Sequence, residues 1–130
     1  MTANKFLAEV DAPEFGEGFT IRLDMDGMAR LETEFGEFDF VQKVQFGLAV
    51  LSAKYITFFL SVSLRDASGA IPKTFDVPLP LDAVARKCLD AFALFRYGKD
   101  HETWTADNAK KLAEEGKKAP TENPTKGTKA

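Results

Sequence analysis

Residues 19–36 read FTIRLDMDGMARLETEFG, and the hydrophobic period changes inside that stretch. Phe19, Ile21, Leu23 and Met25 are apolar, with Thr20, Arg22 and Asp24 polar between them. A strand turns successive side chains to opposite faces, so this alternation predicts a half-buried strand. From there the apolar spacing becomes Met28, Leu31, Phe35, the i, i+3, i+7 pattern of one helix face. Asp26 is placed to cap that helix and Gly36 to stop it. The stretch thus reads strand, cap, short helix and glycine stop, and these local signals agree with one another.

The rest of the chain bounds the answer further. Its 130 residues allow one domain with one modest core. The net charge of −3 offers no global attraction for nucleic acid or anionic lipid. The single cysteine, Cys88, has no partner for an internal disulfide, which fits a reducing compartment. The first residues lack the basic-then-apolar order of a signal peptide. The most apolar run, residues 55–64, is interrupted by Thr57, Ser61 and Ser63 and is short for a membrane span.

Residues 1–14 are weakly patterned; Phe6, Leu7 and Val10 are candidates for an extra edge element. After Gly36, Asp39 is a candidate cap for a helix carrying Val41, Val44, Leu48 and Leu51. Gly47 weakens that helix by about 1 kcal/mol relative to alanine. Ser52 caps the next segment, which reads two ways. Ile56, Phe58, Leu60, Val62 and Leu64 alternate as in a strand, but the apolar residues would also cover nearly a whole helix surface. A central buried helix is the preferred reading, with a hairpin through the DASG turn as the alternative. Pro72 and Pro78 weaken that hairpin's second strand. A proline-punctuated connection then leads to LDAVARKCLDAFALFRYG, a helix capped by Asp82, striped by Val84, Cys88, Leu89, Phe92 and Phe95, and stopped by Gly98. Trp104, Ala109 and Leu112 predict a further short helix as far as Glu115. From Gly116 onward no large apolar residue occurs, which predicts a disordered polar tail.

The chain offers little reactive chemistry. His101 is the only histidine, in a polar stretch read as an exposed loop, without neighbours at metal-ligand spacing. Cys88 falls on an apolar stripe, where a structural thiol is expected. The DMDG run at Asp24 fails as a calcium loop, because Met28 and Phe35 stand where oxygen ligands are required. EGKKA lacks the spacing of a phosphate loop, and the acidic pairs Glu32/Glu34 and Glu37/Asp39 read as solvated faces. No catalytic residue, metal or cofactor is therefore expected. What does call for an account is the surplus of aromatic rings, twelve phenylalanines among them. Phe38, Phe40, Phe46, Phe95, Tyr97 and Trp104 are the candidates for an exposed surface that receives a partner's apolar helix. Packing into the core is the competing account of Phe40 and Phe46.

Three stretches carry a resemblance: TIRLDMDGMARLETEFGEFDF, LSAKYITFFLSVSLRD and PLPLDAVARKCLDAF. Their order of strand, short glycine-ended helix, middle helix and capped closing helix resembles the small tail assembly chaperones of tailed phages. The branch found in phage-derived gene transfer agents is the nearer likeness. The resemblance spans roughly residues 19–98 and rests on structural signatures. It implies a non-enzymatic role in virion morphogenesis: binding the tape measure protein, helping to recruit tail tube subunits, and working in the cytoplasm of the bacterial host. A homo-oligomer is compatible with it; nucleic acid and membrane are not implied as partners. The alternative is a structural virion protein, a tail tube or head–tail joining protein. The expected fold class is α+β, mainly α, with an N-terminal strand or small hairpin on a bundle of about four helices. The expected organisation is a lead-in at 1–18, the chaperone-like domain at 19–102, and a short helix with a disordered tail at 103–130.

Overall fold

A computed structural model describes residues 9–118, with side chains described as far as residue 114. The expected strand is β2 (Thr20–Arg22), joined on one edge by β1 (Glu9–Asp11) and on the other by β3 (Leu64–Arg65). Both pairings are antiparallel, with Val10 opposite Ile21 and Ile21 opposite Leu64. The edge element expected around Val10 is thus β1, while Phe6 and Leu7 lie outside the described residues. A short 3-10 turn, Pro13–Phe15, connects β1 towards β2. Five helices complete the α+β fold: α1 (Met25–Phe35), α2 (Phe40–Ala49), α3 (Ala53–Ser63), α4 (Leu81–Tyr97) and α5 (His101–Lys118).

The change of period is real, but its hinge is Asp24. The Asp24 carboxylate accepts a 2.8 Å hydrogen bond from the Gly27 N–H, so α1 starts at Met25. Asp26 is therefore inside the first turn, where it pairs with Arg30 at 3.1 Å, and does not cap. Met25, read as the last apolar member of the strand, is exposed at the helix start. Met28, Leu31 and Phe35 form the buried face of α1, and Gly36 closes it with φ of 113°.

Residues 53–63 take the helical alternative, not the hairpin. Ser52 caps α3 by accepting from the Tyr55 N–H at 3.4 Å. Ile56, Phe59, Leu60, Val62 and Ser63 are buried, and Ser63 satisfies its hydroxyl by donating 2.6 Å to the Phe59 carbonyl. Strand structure follows only at Leu64–Arg65, and the DASG turn folds on Asp66, whose carboxylate accepts from the Ser68 and Ala70 N–H groups. The proline-rich connection, residues 71–80, has no regular secondary structure and packs Phe75 and Val77 against the core.

The long helix α4 is the axle of the fold. Its face of Val84, Ala85, Cys88, Ala91 and Phe92 is buried beneath the sheet and helices α2 and α3. Phe92 meets Phe59 and Phe40 edge-on, with centroids 5.9 and 6.5 Å apart. Burial pushes the Cys88 thiol far above its ordinary pKa, which makes it a packing residue. Gly98 stops α4 in the left-handed conformation as expected. Pro80 holds the cap position, and Asp82 sits in the first turn, where its charge favours the positive end of the helix dipole. The last helix runs eighteen residues, longer than the expected short helix, and contains Gly116, Lys117 and Lys118. The rest of the expected disordered tail, residues 119–130, lies outside the described residues.

Candidate functional site

The surface is decided at the corner between α2 and α3. These helices bend by 112° across Val50-Leu51-Ser52. Such a turn needs one residue in the left-handed region, and that residue is Leu51, with φ of 61°. Leucine pays about 1–2 kcal/mol there, because its Cβ crowds the carbonyl oxygen. Strain of this kind persists where the surroundings hold it, and it clusters at functional positions. Here it coincides with an exposed apolar strip. Phe46 and Val50 are one turn apart on the outer side of α2, 69% and 54% exposed, and Leu51 continues them. Phe38, 96% exposed, precedes the other end of α2.

Beside the corner lies an open groove of about 740 Å3 between α2, α4 and α5. Ala85 and Leu89, one turn apart on α4, form its floor. Leu48, Ala49 and Leu51 make one wall; Thr105, Ala106 and Ala109 on α5 make the other. The groove exists because α5 packs on α4 and diverges from α2. Its lining is also charged: Asp82, Arg86 and Asp90 come from α4, and Asp100, His101 and Glu102 from the start of α5, where the Asp100 carboxylate accepts from the Thr103 N–H at 2.7 Å.

Two devices hold α5 at this angle. At its start, the His101 backbone N–H donates to the Asp90 carboxylate at 3.2 Å. Partial burial, then the nearby Asp100 charge, raise the Asp90 pKa above the ordinary aspartate value against the effect of that hydrogen bond. One turn later Trp104 stacks on Tyr97 with centroids 4.6 Å apart. The Arg96 guanidinium lies 4.4 Å from both the Tyr97 and Phe92 ring centroids, continuing the stack into the core. Burial lowers the Arg96 pKa, and its Nε and Nη2 find no hydrogen-bond partner. The rings are the principal contact of this cation.

The six aromatic candidates therefore separate. Phe38 and Phe46 stand out in solvent. Tyr97 and Trp104 are spent mainly on each other, clasping α5 to α4, although Tyr97 remains 41% exposed. Phe95 is half-buried against the core. Phe40 is a correction: it is 8% exposed and packs on Phe92, so it is closed to a partner. It precedes Val44 and Leu48 by four and eight residues and so belongs to the buried face of α2 that packs on α4. His101 is a further correction, being the first residue of a helix at the groove rim and not part of an exposed loop. Sequence reasoning missed the groove itself. Its signals were Leu51 at the end of a helical pattern and the small pair Ala106 and Ala109, but neither names a wall until α5 is placed.

Among the described residues, no group of three or more histidine, cysteine or acidic side chains is gathered to hold a metal ion. No single helix there is long and apolar enough to cross a membrane. What the site offers chemically is apolar surface, a concavity and a negative rim. No family model, curated protein or solved structure matches the chain.

Proposed function

We propose that the protein is a non-enzymatic tail assembly chaperone that binds the tape measure protein and helps recruit tail tube subunits. The observation that carries the reading is the apolar strip Phe46–Val50–Leu51 running into an open groove, with Phe38 exposed beyond it. A tape measure presents apolar helical stripes before the tube encloses it, and helices dock by laying such stripes into grooves. Many copies along one long helix would hold it through individually weak contacts. The order of elements from β2 to α4, on which the resemblance to this family rests, supports the same reading.

Co-expression tests it. The protein should keep the tape measure protein soluble and co-purify with it, and a Phe38→Ser/Phe46→Ser variant should do so poorly. Purified particles should lack the chain. Stoichiometric presence in particles, with no effect on tape measure solubility, would instead establish the structural virion role.

A further inference from the structure

We propose that the groove between α2, α4 and α5 receives a single amphipathic helix whose apolar stripe is flanked by lysine or arginine. This rests on the reading of the protein as a helix-binding chaperone and names the chemistry of the segment it selects. The apolar interior sets the kind of element. Ala49, Ala106 and Ala109 are small and leave width between the walls, while Leu51 and Leu89 give it an accessible apolar lining over the buried Leu48 and Ala85. A helix approaching with its own leucine-type stripe would fill that space. Leu51 keeps its side chain on this wall at the cost of a left-handed backbone that glycine would adopt freely.

The rim sets the sign. The lining carries four carboxylates, Asp82, Asp90, Asp100 and Glu102, against the one guanidinium of Arg86; Asp90 and Asp100 also accept backbone N–H groups of α5, while Asp82 and Glu102 are exposed. A concave wall of low dielectric concentrates such a field, and charge complementarity mainly decides which partner is accepted. A basic-flanked helix is drawn in and an acidic one is repelled. The chain's own segment at 119–130 matches the rim through Lys126 and Lys129 but has no large apolar residue for the floor. A second copy carries the same net charge of −3 and brings like charge to like.

The test uses the full chain and two synthetic helices of about 18 residues, five turns each. Both carry one leucine/alanine stripe; one is flanked by lysine, the other by glutamate. Calorimetry should find the lysine peptide bound at least about ten-fold tighter, a preference that weakens with salt. Amide shifts should map to residues 48–51, 82–90 and 100–109. An Asp82→Lys/Glu102→Lys variant, both positions exposed, should reverse the preference while remaining cooperatively folded, with a somewhat lower melting temperature because lysine replaces an acid in the first turn of α4 and of α5. Equal binding of the two peptides, binding of neither, or shifts confined to Phe38 and Phe46 would overturn the proposal. So would groove amides that move when residues 119–130 are deleted, or a dimer in light scattering that the peptide dissolves. If co-expression fails but the peptide preference holds, the tape measure reading falls and the groove's selectivity stands. If co-expression succeeds and the charge-reversed variant performs equally well, the reverse is true.

Discussion

The ring of Tyr55 lies flat against the backbone of Gly47, so close that a Cβ there would overlap Cγ of the ring. The same ring stacks on Phe35 with centroids 4.3 Å apart. Glycine at 47 is thus the contact that lets α2 and α3 cross at their sharp angle, and the corner that carries Leu51 depends on it.

Gly47→Ala is expected to destabilise the protein by about 1–3 kcal/mol through overpacking. Helix propensity alone gives the opposite sign, a gain of about 1 kcal/mol. Urea unfolding separates the two, and a more stable variant would mean that Tyr55 does not set this corner.

Leu51→Gly removes a left-handed leucine whose side chain is partly exposed. Stability should hold or rise by up to about 1 kcal/mol. Partner binding should weaken, because one groove wall loses its side chain. Thermal melts together with the co-purification assay read both effects.

Phe40→Ala should cost about 3–5 kcal/mol, as expected for an emptied core site. Phe38→Ser and Phe46→Ser should each stay within about 0.5 kcal/mol of the parent. Partner binding should follow the reverse order once the loss from unfolding is allowed for.

Asp24 joins two parts of the fold by capping α1 and pairing with Arg65 at 2.9 Å. Partial burial acts to raise its pKa, but the Gly27 N–H, Arg65 and the Arg22 charge together hold it below the ordinary value. Glu14 is likewise lowered: burial opposes, and Lys87 at 2.5 Å outweighs it. The unfolded chain then binds more protons than the folded one below about pH 4, so stability is full at neutral pH and falls as pH drops through that range. Asp90 has the opposite sign: its raised value makes the folded chain the better proton acceptor, so its contribution grows as pH falls towards the ordinary aspartate value. Asp24→Asn should flatten the acid loss, by no more than about 1 kcal/mol because the pair is partly solvated. Asp90→Asn should steepen it. Urea midpoints between pH 3 and pH 7, a span chosen around the ordinary carboxylate value of about 4, would check both signs.

Local pattern alone determined most of the elements here. The alternation at Phe19–Leu23, the helical face Met28/Leu31/Phe35, the Ser52 cap and the Gly98 stop are short-range features, set by pleat, helical turn and orphan N–H groups within a few residues. Local pattern does not separate Asp24 from Asp26 as the cap of α1, since both carboxylates are able acceptors, nor Pro80 from Asp82 at the start of α4, since Pro80 can precede a helix as readily as Asp82 can open one. Tertiary structure decided what the pattern left open. Residues 53–63 are apolar on nearly every side, so periodicity could not choose helix over strand; burial between α1, α2 and α4 did. The helical period already separates Phe40, in line with Val44 and Leu48, from Phe46 on the other face; that Phe40's face meets Phe92 of α4 is what tertiary structure adds. The groove belongs wholly to the second class. Its walls come from residues as far apart in the chain as Leu48 and Ala109, and only the angle at which the Tyr97–Trp104 stack and the Asp90–His101 hydrogen bond set α5 against α4 brings them to face one another.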